Sequence, residues 1–237
     1  MSEVKRGFVS TDYKEFGIDS IDKLRRAGEE IYFLLSRSYP IRNVVTFVGN
    51  HYQLSERQRI ALSRIVSPEI NIWIRKYKEL STEEIAGQTL YIDGFNIIIT
   101  LETAFSDSTI FRCMDGTIRD LAGLRGSYRL IDKTNMALQA LADAFENLKI
   151  KKAVFYLDSP VSNSGRLKQK IIETLSGKSF EVEAFIENAV DPILEKKSHV
   201  ITADAIILDK CQSWYNLTDY ILRTSEKLKF SRPIVVL

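Results

Sequence analysis

The chain of 237 residues is 45% hydrophobic and 27% charged, and its formal net charge is +2 at pH 7. These values exclude a polycation and a low-complexity chain, and two cysteines with two histidines do not match the spacing of a zinc site. Because residues 1–10 are too polar for a signal peptide and no run reaches the ~20 apolar residues that span a bilayer, we expect a soluble, cytoplasmic protein without a membrane partner.

Helical signals dominate the first part of the chain. Asp19 or Ser20 would cap a first helix over residues 21–36, whose apolar residues recur at helical spacing. Pro40 suits the first turn of a second helix that runs to Asn50, because its fixed φ angle is already helical. The sequence therefore predicts a bundle of short helices at this end of the chain.

Two further helices complete this region. The segment Ser55-Glu56-Arg57-Gln58 has the form of a capping box and predicts a third helix. An amphipathic segment, Glu69 to Leu80, predicts a fourth helix with apolar residues at helical spacing. These residues are Ile70, Trp73, Ile74 and Tyr77. We expect Trp73 to lie in the core, and Trp214 as well.

A polar link near residues 81–88 separates this helical pattern from a different one. We therefore predict a small all-α domain over residues 1–86 and a second domain over residues 87–237. Between Ser20 and Ile65, eight Lys and Arg residues accompany four Asp and Glu residues. A basic helical domain of this kind can bind RNA or a protein partner, and a solvated surface over an apolar core explains the same composition equally well.

Strand-like and helical runs alternate after the link, which is typical of a mostly parallel sheet flanked by helices. The predicted strands are Leu90 to Asp93, Val154 to Asp158, Val182 to Ile186, Val200 to Asp204 and Ile234 to Leu237. The predicted helices are Thr134 to Leu148, Gly165 to Leu175 and a short one after Asp204. Residues 108–119, with a turn at Asp115-Gly116, would suit a hairpin.

Three of these strands end on an aspartate: Asp93, Asp158 and Asp204. Because ligands of open α/β sheets bind outside the carboxyl ends of the strands, we expect these acids to share one crevice. Clustered carboxylates repel one another, and oxygen ligands favour Mg²⁺ or Mn²⁺. The alternative is that each aspartate caps the helix that follows its strand.

Other polar residues are candidates for the same site. Asp115, Arg119 and Asp120 lie in the predicted turn, and Glu102 and Asp209 are secondary acidic candidates. Asn96, three residues after Asp93, would orient that acid or a water molecule. The loop before the predicted helix at Gly165 contains Ser162 and Ser164, which would bind a phosphate at the helix N-terminus.

The segment Tyr91-Ile92-Asp93-Gly94-Phe95-Asn96 resembles the first motif of PIN-like nucleases of the NYN-type branch. The runs that end at Asp158 and Asp204 resemble the later acidic strands of that family. The resemblance implies an α/β fold with a mostly parallel PIN-like sheet, here preceded by the all-α domain, and metal-dependent hydrolysis of RNA. Asp93 matches the first acid and Asp204 a late one, and the middle acid stays open between Asp115, Asp120, Asp143 and Glu146.

Motifs in both parts of the chain, among them Arg37-Ser38-Tyr39-Pro40 and Ser162-Asn163-Ser164-Gly165, also resemble an uncharacterised, largely archaeal two-domain family. This likeness spans nearly the whole chain. It implies the two-part organisation but supplies no activity.

The leading hypothesis is a Mg²⁺- or Mn²⁺-dependent ribonuclease. Its catalytic residues would be Asp93, Asp120, Asp158 and Asp204, and its metal ligands Asp93, Asp115, Asp120, Asp158 and Asp204. Asn96, Arg119, Ser162 and Ser164 would bind the substrate. The alternative is a catalytically inactive PIN-like module that binds RNA or a ribonucleoprotein. A haloacid-dehalogenase phosphatase ranks last, because Phe95 occupies the position of its second aspartate.

Overall fold

The computed structural model describes residues 4–123, 126–225, 228 and 234–237, so the first three residues of the predicted helical domain lie outside it. Within these ranges the chain begins with six helices. They are α1 (Asp12–Glu15), α2 (Ile18–Leu35), α3 (Ile41–His51), α4 (Glu56–Ile65), α5 (Glu69–Lys78) and α6 (Thr82–Ile85). The four predicted helices correspond to α2, α3, α4 and α5.

The starts of these helices agree only in part with the predicted signals. The capping box is confirmed, since Ser55 Oγ accepts from Gln58 N at 3.1 Å and Gln58 Oε1 accepts from Ser55 N at 3.1 Å. Gly17, and not Asp19 or Ser20, is the N-cap of α2. Pro40 precedes α3 in an extended conformation instead of occupying its first turn.

Strands and helices alternate in the rest of the described chain. The strands are β1 (Thr89–Asp93), β2 (Ile110–Arg112), β3 (Ile118–Asp120), β4 (Lys152–Asp158), β5 (Glu181–Glu187), β6 (Val200–Ile201) and β7 (Val235–Val236). The helices are α7 (Gly94–Phe105), α8 (Asp132–Asn147), α9 (Ser164–Leu175), α10 (Asp191–Leu194), α11 (Ala205–Lys210) and α12 (Leu217–Thr224).

Four parallel strands form the main sheet, in the order β5-β4-β1-β6. The mixed α/β architecture and the parallel sheet flanked by helices are therefore confirmed. The chain places β4 and then β5 on one side of β1, and returns to add β6 on the other side. The strand order thus reverses between β1 and β6, which is where open α/β sheets form a crevice at their carboxyl ends.

A second sheet has three strands, in the order β3-β2-β7. The predicted hairpin is confirmed, because β2 and β3 are antiparallel with Ile110 opposite Asp120. The last predicted strand is found at Val235–Val236, but it pairs with β2 and not with the main sheet. This small sheet connects the two parts of the chain, since Phe111 and Val235 belong to the same buried cluster as Leu24 and Leu62 of the N-terminal helices.

Helix α7 lies in the main core and positions the first strand end. Every residue of α7 except Asn96 is buried. It was not among the predicted helices, because a helix that is buried on nearly all sides does not show a clear amphipathic period. Gly94 allows its close approach to β4, since a Cβ atom there would lie 2.6 Å from Leu157 Cδ2 and 3.0 Å from the Tyr156 carbonyl oxygen.

Helix α5 contradicts one prediction about the core. Trp73 is 70% exposed, whereas Trp214 is completely buried as expected. The reason is that α5 packs through its polar side, on which Arg75 is buried. No helix within the described ranges is long and apolar enough to cross a membrane.

Candidate functional site

Asp93 lies at the carboxyl end of β1 and is the N-cap of α7. Its Oδ1 atom accepts from Asn96 N at 3.4 Å, and its Oδ2 atom accepts from the Thr202 hydroxyl at 2.9 Å. The pKa of Asp93 is raised to about 7, mainly by burial and to a smaller extent by the charges of Asp204 and Asp158, against the opposing effect of these two hydrogen bonds. Asp93 is therefore a buried acid that lies close enough to two other carboxylates to be affected by their charge.

Asp204 follows β6 on the other side of the switch point. Its Oδ1 atom accepts from Ile206 N at 2.8 Å and from Ile207 N at 3.3 Å, so it caps α11. Capping is thus realised for both Asp93 and Asp204. Asn96 holds this segment against α7, because its Oδ1 atom accepts from Ala203 N at 2.8 Å.

A third and a fourth acid lie along the same edge of the sheet. Asp158 ends β4, and its Oδ1 atom accepts from Val190 N at 3.4 Å. The pKa of Asp191, at the start of α10, is raised by burial and then by the charges of Asp204 and Asp158. Asp191 was not predicted, because it comes after the end of β5 and does not itself end a strand as Asp93 and Asp158 do.

A cavity of about 270 Å³ opens beside Asp204. The residues that line it include Arg64, Asn96, Thr100, Arg119, Asp120 and Asp204. Asp120 is held there by two donors, the Thr100 hydroxyl and the Ala122 backbone N–H, each at 2.7 Å. The structure therefore brings Asn96, Arg119, Asp120 and Asp204 together around one cavity.

Arg64 reaches this cavity from α4 of the N-terminal helices. It donates to the backbone oxygen of Asp120, and its own backbone oxygen accepts from Arg119. The sequence placed Arg64 only within a general basic surplus, because the contact depends on how α4 packs against β3. The N-terminal region thus contributes a cation to the wall of an acidic crevice.

Asp115 lies in a buried ion-pair network and not at the strand ends. Its Oδ2 atom accepts from Arg75 at 2.6 Å and Arg119 at 2.8 Å, and its Oδ1 atom accepts from the Thr117 hydroxyl at 2.6 Å. Burial disfavours its charged form, yet Arg119, Thr117 and Arg75 together lower its pKa. Both oxygens are satisfied by protein donors, so we leave Asp115 out of the candidate metal ligands. Asp209 is likewise paired with Arg75, at 2.7 Å.

Of the remaining candidates, Ser162 and Glu102 contact Tyr128, which lies between β3 and α8. Ser162 Oγ accepts from Tyr128 N at 3.2 Å, and Ser164 is a buried residue at the start of α9. Glu102 is fully buried, accepts from Tyr128 Oη at 2.6 Å and is paired with Arg6 at 2.8 Å. None of these three side chains lines the 270 Å³ cavity, and a role of the two serines in phosphate binding stays a prediction.

The acids of the crevice fit a hard cation by their chemistry. Carboxylate oxygens are the ligands that Mg²⁺ prefers, and Mg²⁺ usually keeps several waters and is held by only one or two carboxylates. Across residues 4–123 and 126–225, no group of three or more His, Cys, Asp and Glu side chains is spaced to hold a metal ion directly.

Comparisons with known proteins find relatives over both parts of the chain. Residues 82–220 match the family described as Domain of unknown function (DUF5616), and residues 23–78 match the family described as Protein of unknown function (DUF434). The chain is 34% identical over 206 residues to the uncharacterized protein MJ0935 of Methanocaldococcus jannaschii. The aligned segment covers 87% of this chain and 98% of that protein. No solved structure matches the chain. The expectation of a two-part uncharacterised family with an archaeal member is confirmed.

Proposed function

The chain belongs to the DUF5616 family, and we propose that it is a PIN-like nuclease that hydrolyses RNA phosphodiester bonds with Mg²⁺ or Mn²⁺. The observation that carries this proposal is the position of Asp93 and Asp204. They lie at the ends of β1 and β6, on either side of the switch point, and are linked through Thr202. Ligands of open α/β sheets bind at that point.

The proposed roles follow from the place of each side chain. Asp93 and Asp204 would supply the carboxylate oxygens that hold a hydrated cation, and Asp158 and Asp191 would add negative charge beside them. When bound, a divalent ion would supply a more acidic water and stabilise negative charge on the scissile phosphate. Asn96 fixes the segment that carries Asp204 through its bond to Ala203 N. Asp120 lines the same cavity as Asp204.

Two arginines supply positive charge for the phosphate. Arg64 and Arg119 line the same cavity as Asp120 and Asp204. Arg119 is held in place by the carbonyl oxygen of Ala203, at 2.7 Å, so its guanidinium is already oriented before a substrate binds. Hydrogen bonds from an arginine guanidinium to phosphate oxygens are charge-assisted and therefore strong.

The second candidate is a PIN-like module that binds RNA or a ribonucleoprotein without cleaving it. The observation in its favour is that Asp93 and Asp204 already accept backbone hydrogen bonds as helix caps. Such a module would bind RNA in a salt-sensitive way and without a metal requirement.

A cleavage assay separates these two functions. The wild type, Asp93→Asn and the control Asp22→Asn, an exposed change in α2, are incubated with end-labelled single-stranded RNA and Mn²⁺. The nuclease predicts that Asp93→Asn cleaves about 100-fold more slowly or worse, and that Asp22→Asn cleaves like the wild type. Equal cleavage by Asp93→Asn would overturn the assigned site. RNA binding in EDTA with no cleavage by the wild type would favour the second candidate.

A further inference from the structure

Helix α5 packs against the rest of the protein through its polar side. Arg75 is 2% exposed and is bonded to Asp115 at 2.6 Å and Asp209 at 2.7 Å. Lys78 Nζ donates to two backbone oxygens of α11, at 2.7 and 3.0 Å, and to one directly after this helix, at 2.9 Å. The backbone oxygen of Arg75 also accepts from Trp214 Nε1 at 2.7 Å. Polar contacts therefore fix which face of α5 points inward.

The opposite side of α5 is an exposed apolar stripe. Its members recur at positions three and four apart and so share one face of the helix. They are Ile70, Trp73, Ile74 and Tyr77, and the last of them is 89% exposed. Contiguous exposed apolar surface marks binding sites in soluble proteins, and the polar anchors of α5 hold this face outward.

A groove connects this stripe to the acidic crevice. A second cavity, of about 400 Å³, is lined by Tyr39, Ile70 and Asn71 on its outer side. On its inner side it is lined by Ser63, Arg119 and Ala205, which also line the 270 Å³ cavity. The exposed ring of Tyr39 and the first turn of the stripe thus lie at the outer end of a path that begins at the crevice.

The charge of this region matches a polyanion. Residues 20–80 contain eleven Lys and Arg but six Asp and Glu, whereas the rest of the chain contains twenty-two and twenty-five. Arg37 and Arg42 are exposed on either side of Tyr39. Grooves that combine positive charge with exposed aromatic rings bind single-stranded nucleic acid, because unpaired bases stack on the rings while cations follow the backbone.

We propose that this groove and the apolar stripe at its outer end are the track of a single RNA strand, in which Tyr39 stacks on a base in the groove and Trp73 on a base along the stripe. The proposal rests on the proposed function, since the strand would enter the crevice at Arg119 and Arg64. The substrate would be unpaired RNA, because the bases of a duplex are not free to stack on a side chain. Asn71 lies along the path, and its side-chain amide can donate to the sugar and phosphate oxygens.

Intrinsic fluorescence provides a direct test, because Trp214 is completely buried and Trp73 is 70% exposed. An oligouridylate of about 12 nucleotides is titrated in EDTA, so that no cleavage occurs. We expect the bases to quench Trp73 and Trp73→Phe to bind equally well without that signal. Fluorescence anisotropy of labelled RNA should show binding at least about fivefold weaker for Trp73→Ala and for Tyr39→Ala. The control is Phe47→Ala in α3, which removes a ring that is 69% exposed and belongs neither to the groove nor to the stripe on α5.

The outcomes distinguish this groove from the nuclease itself. Unchanged affinity of Trp73→Ala, together with cleavage that depends on Asp93, would overturn the groove and leave the nuclease. Weaker binding of Trp73→Ala, with no cleavage by the wild type, would support the groove and remove the nuclease. A dimeric wild type whose Trp73→Ala variant is monomeric and binds RNA normally would show that the stripe joins two copies of the chain, and would overturn the groove.

Discussion

The hydroxyl group of Thr202 donates to Asp93, with 2.9 Å between Oγ1 and Oδ2. Because Asp93 ends β1 and Thr202 follows β6, this bond joins the two strands on either side of the switch point. The same Oγ1 atom accepts from Asp204 N at 3.0 Å. One hydroxyl group therefore connects the two acids that the proposed function depends on.

Replacement of Thr202 by valine tests this connection. Thr202→Val keeps the shape but removes the donor to Asp93 and the acceptor for Asp204 N, both of which lie in poorly solvated surroundings. We expect the free energy of unfolding to fall by about 1–3 kcal/mol in urea denaturation. Thr224→Val, at an exposed threonine of α12, is the control and should change it by less than about 0.5 kcal/mol. Equal stability of the two variants would show that the Thr202 bond does not hold the strand ends together.

The stability of the protein should depend on pH through Asp93. Its pKa is about 7 in the folded protein and near 3.8 without these surroundings, so the folded state binds the proton more tightly. The contribution of Asp93 to stability is therefore greatest below about pH 4, and it is lost as the pH rises through about 7. Asp93→Asn removes the buried charge, and we expect it to stabilise the protein by about 1–3 kcal/mol at pH 8 and by much less at pH 4. A gain of the same size at both pH values would contradict the assigned cause.

Gly94 should not tolerate a side chain. A Cβ atom in Gly94→Ala would lie 3.0 Å from the carbonyl oxygen of Tyr156, which cannot move without disturbing β4. We expect this overpacking to lower the free energy of unfolding by about 1–3 kcal/mol. Gly165→Ala in α9 is the control, because no atom lies within 4 Å of its added Cβ. A Gly94→Ala protein with the thermal midpoint of the control would argue against the close contact of α7 and β4.

The contribution of Asp115 to stability should change with pH in the opposite direction to that of Asp93. Its pKa is lowered by Arg119, Thr117 and Arg75 against the effect of burial, so its contribution is complete above its ordinary pKa and is lost as the pH falls. Asp115→Asn leaves Arg75 and Arg119 without their shared carboxylate, and we expect a loss of about 3–5 kcal/mol at pH 7. The loss should shrink in acid, as followed by urea denaturation, whereas Asp22→Asn should have little effect at either pH. A loss that is constant down to acidic pH would rule out an ionic cause.

The sequence predicted the strand ends of the site because an apolar run that stops at an aspartate is a local signal. The prediction of Asp93, Asp158 and Asp204 required only that signal and the assumption that the strands are parallel. The crevice also contains Arg64 and Asp191, which depend on how distant segments pack. No local pattern distinguishes these two residues from ordinary surface charges.

Helix α5 shows why a correct pattern can still give the wrong core. Its amphipathic period was recognised, and the apolar face was expected to be buried. The buried face is instead decided by Asp115 and Asp209, which lie far along the chain and pair with Arg75. A helix with a polar face that finds partners and an apolar face that finds none cannot be oriented from its own sequence.

The most direct test of the central claim is a titration of Mn²⁺ against the thermal midpoint of the wild type, Asp93→Asn and Asp22→Asn. A ligand that binds only the folded protein stabilises it by about 2.7 kcal/mol at a concentration of 100 Kd. We predict that Mn²⁺ raises the midpoint of the wild type and of Asp22→Asn, and leaves that of Asp93→Asn unchanged. A wild type that does not respond, or three proteins that respond equally, would contradict a cation held by the acids at the ends of β1 and β6.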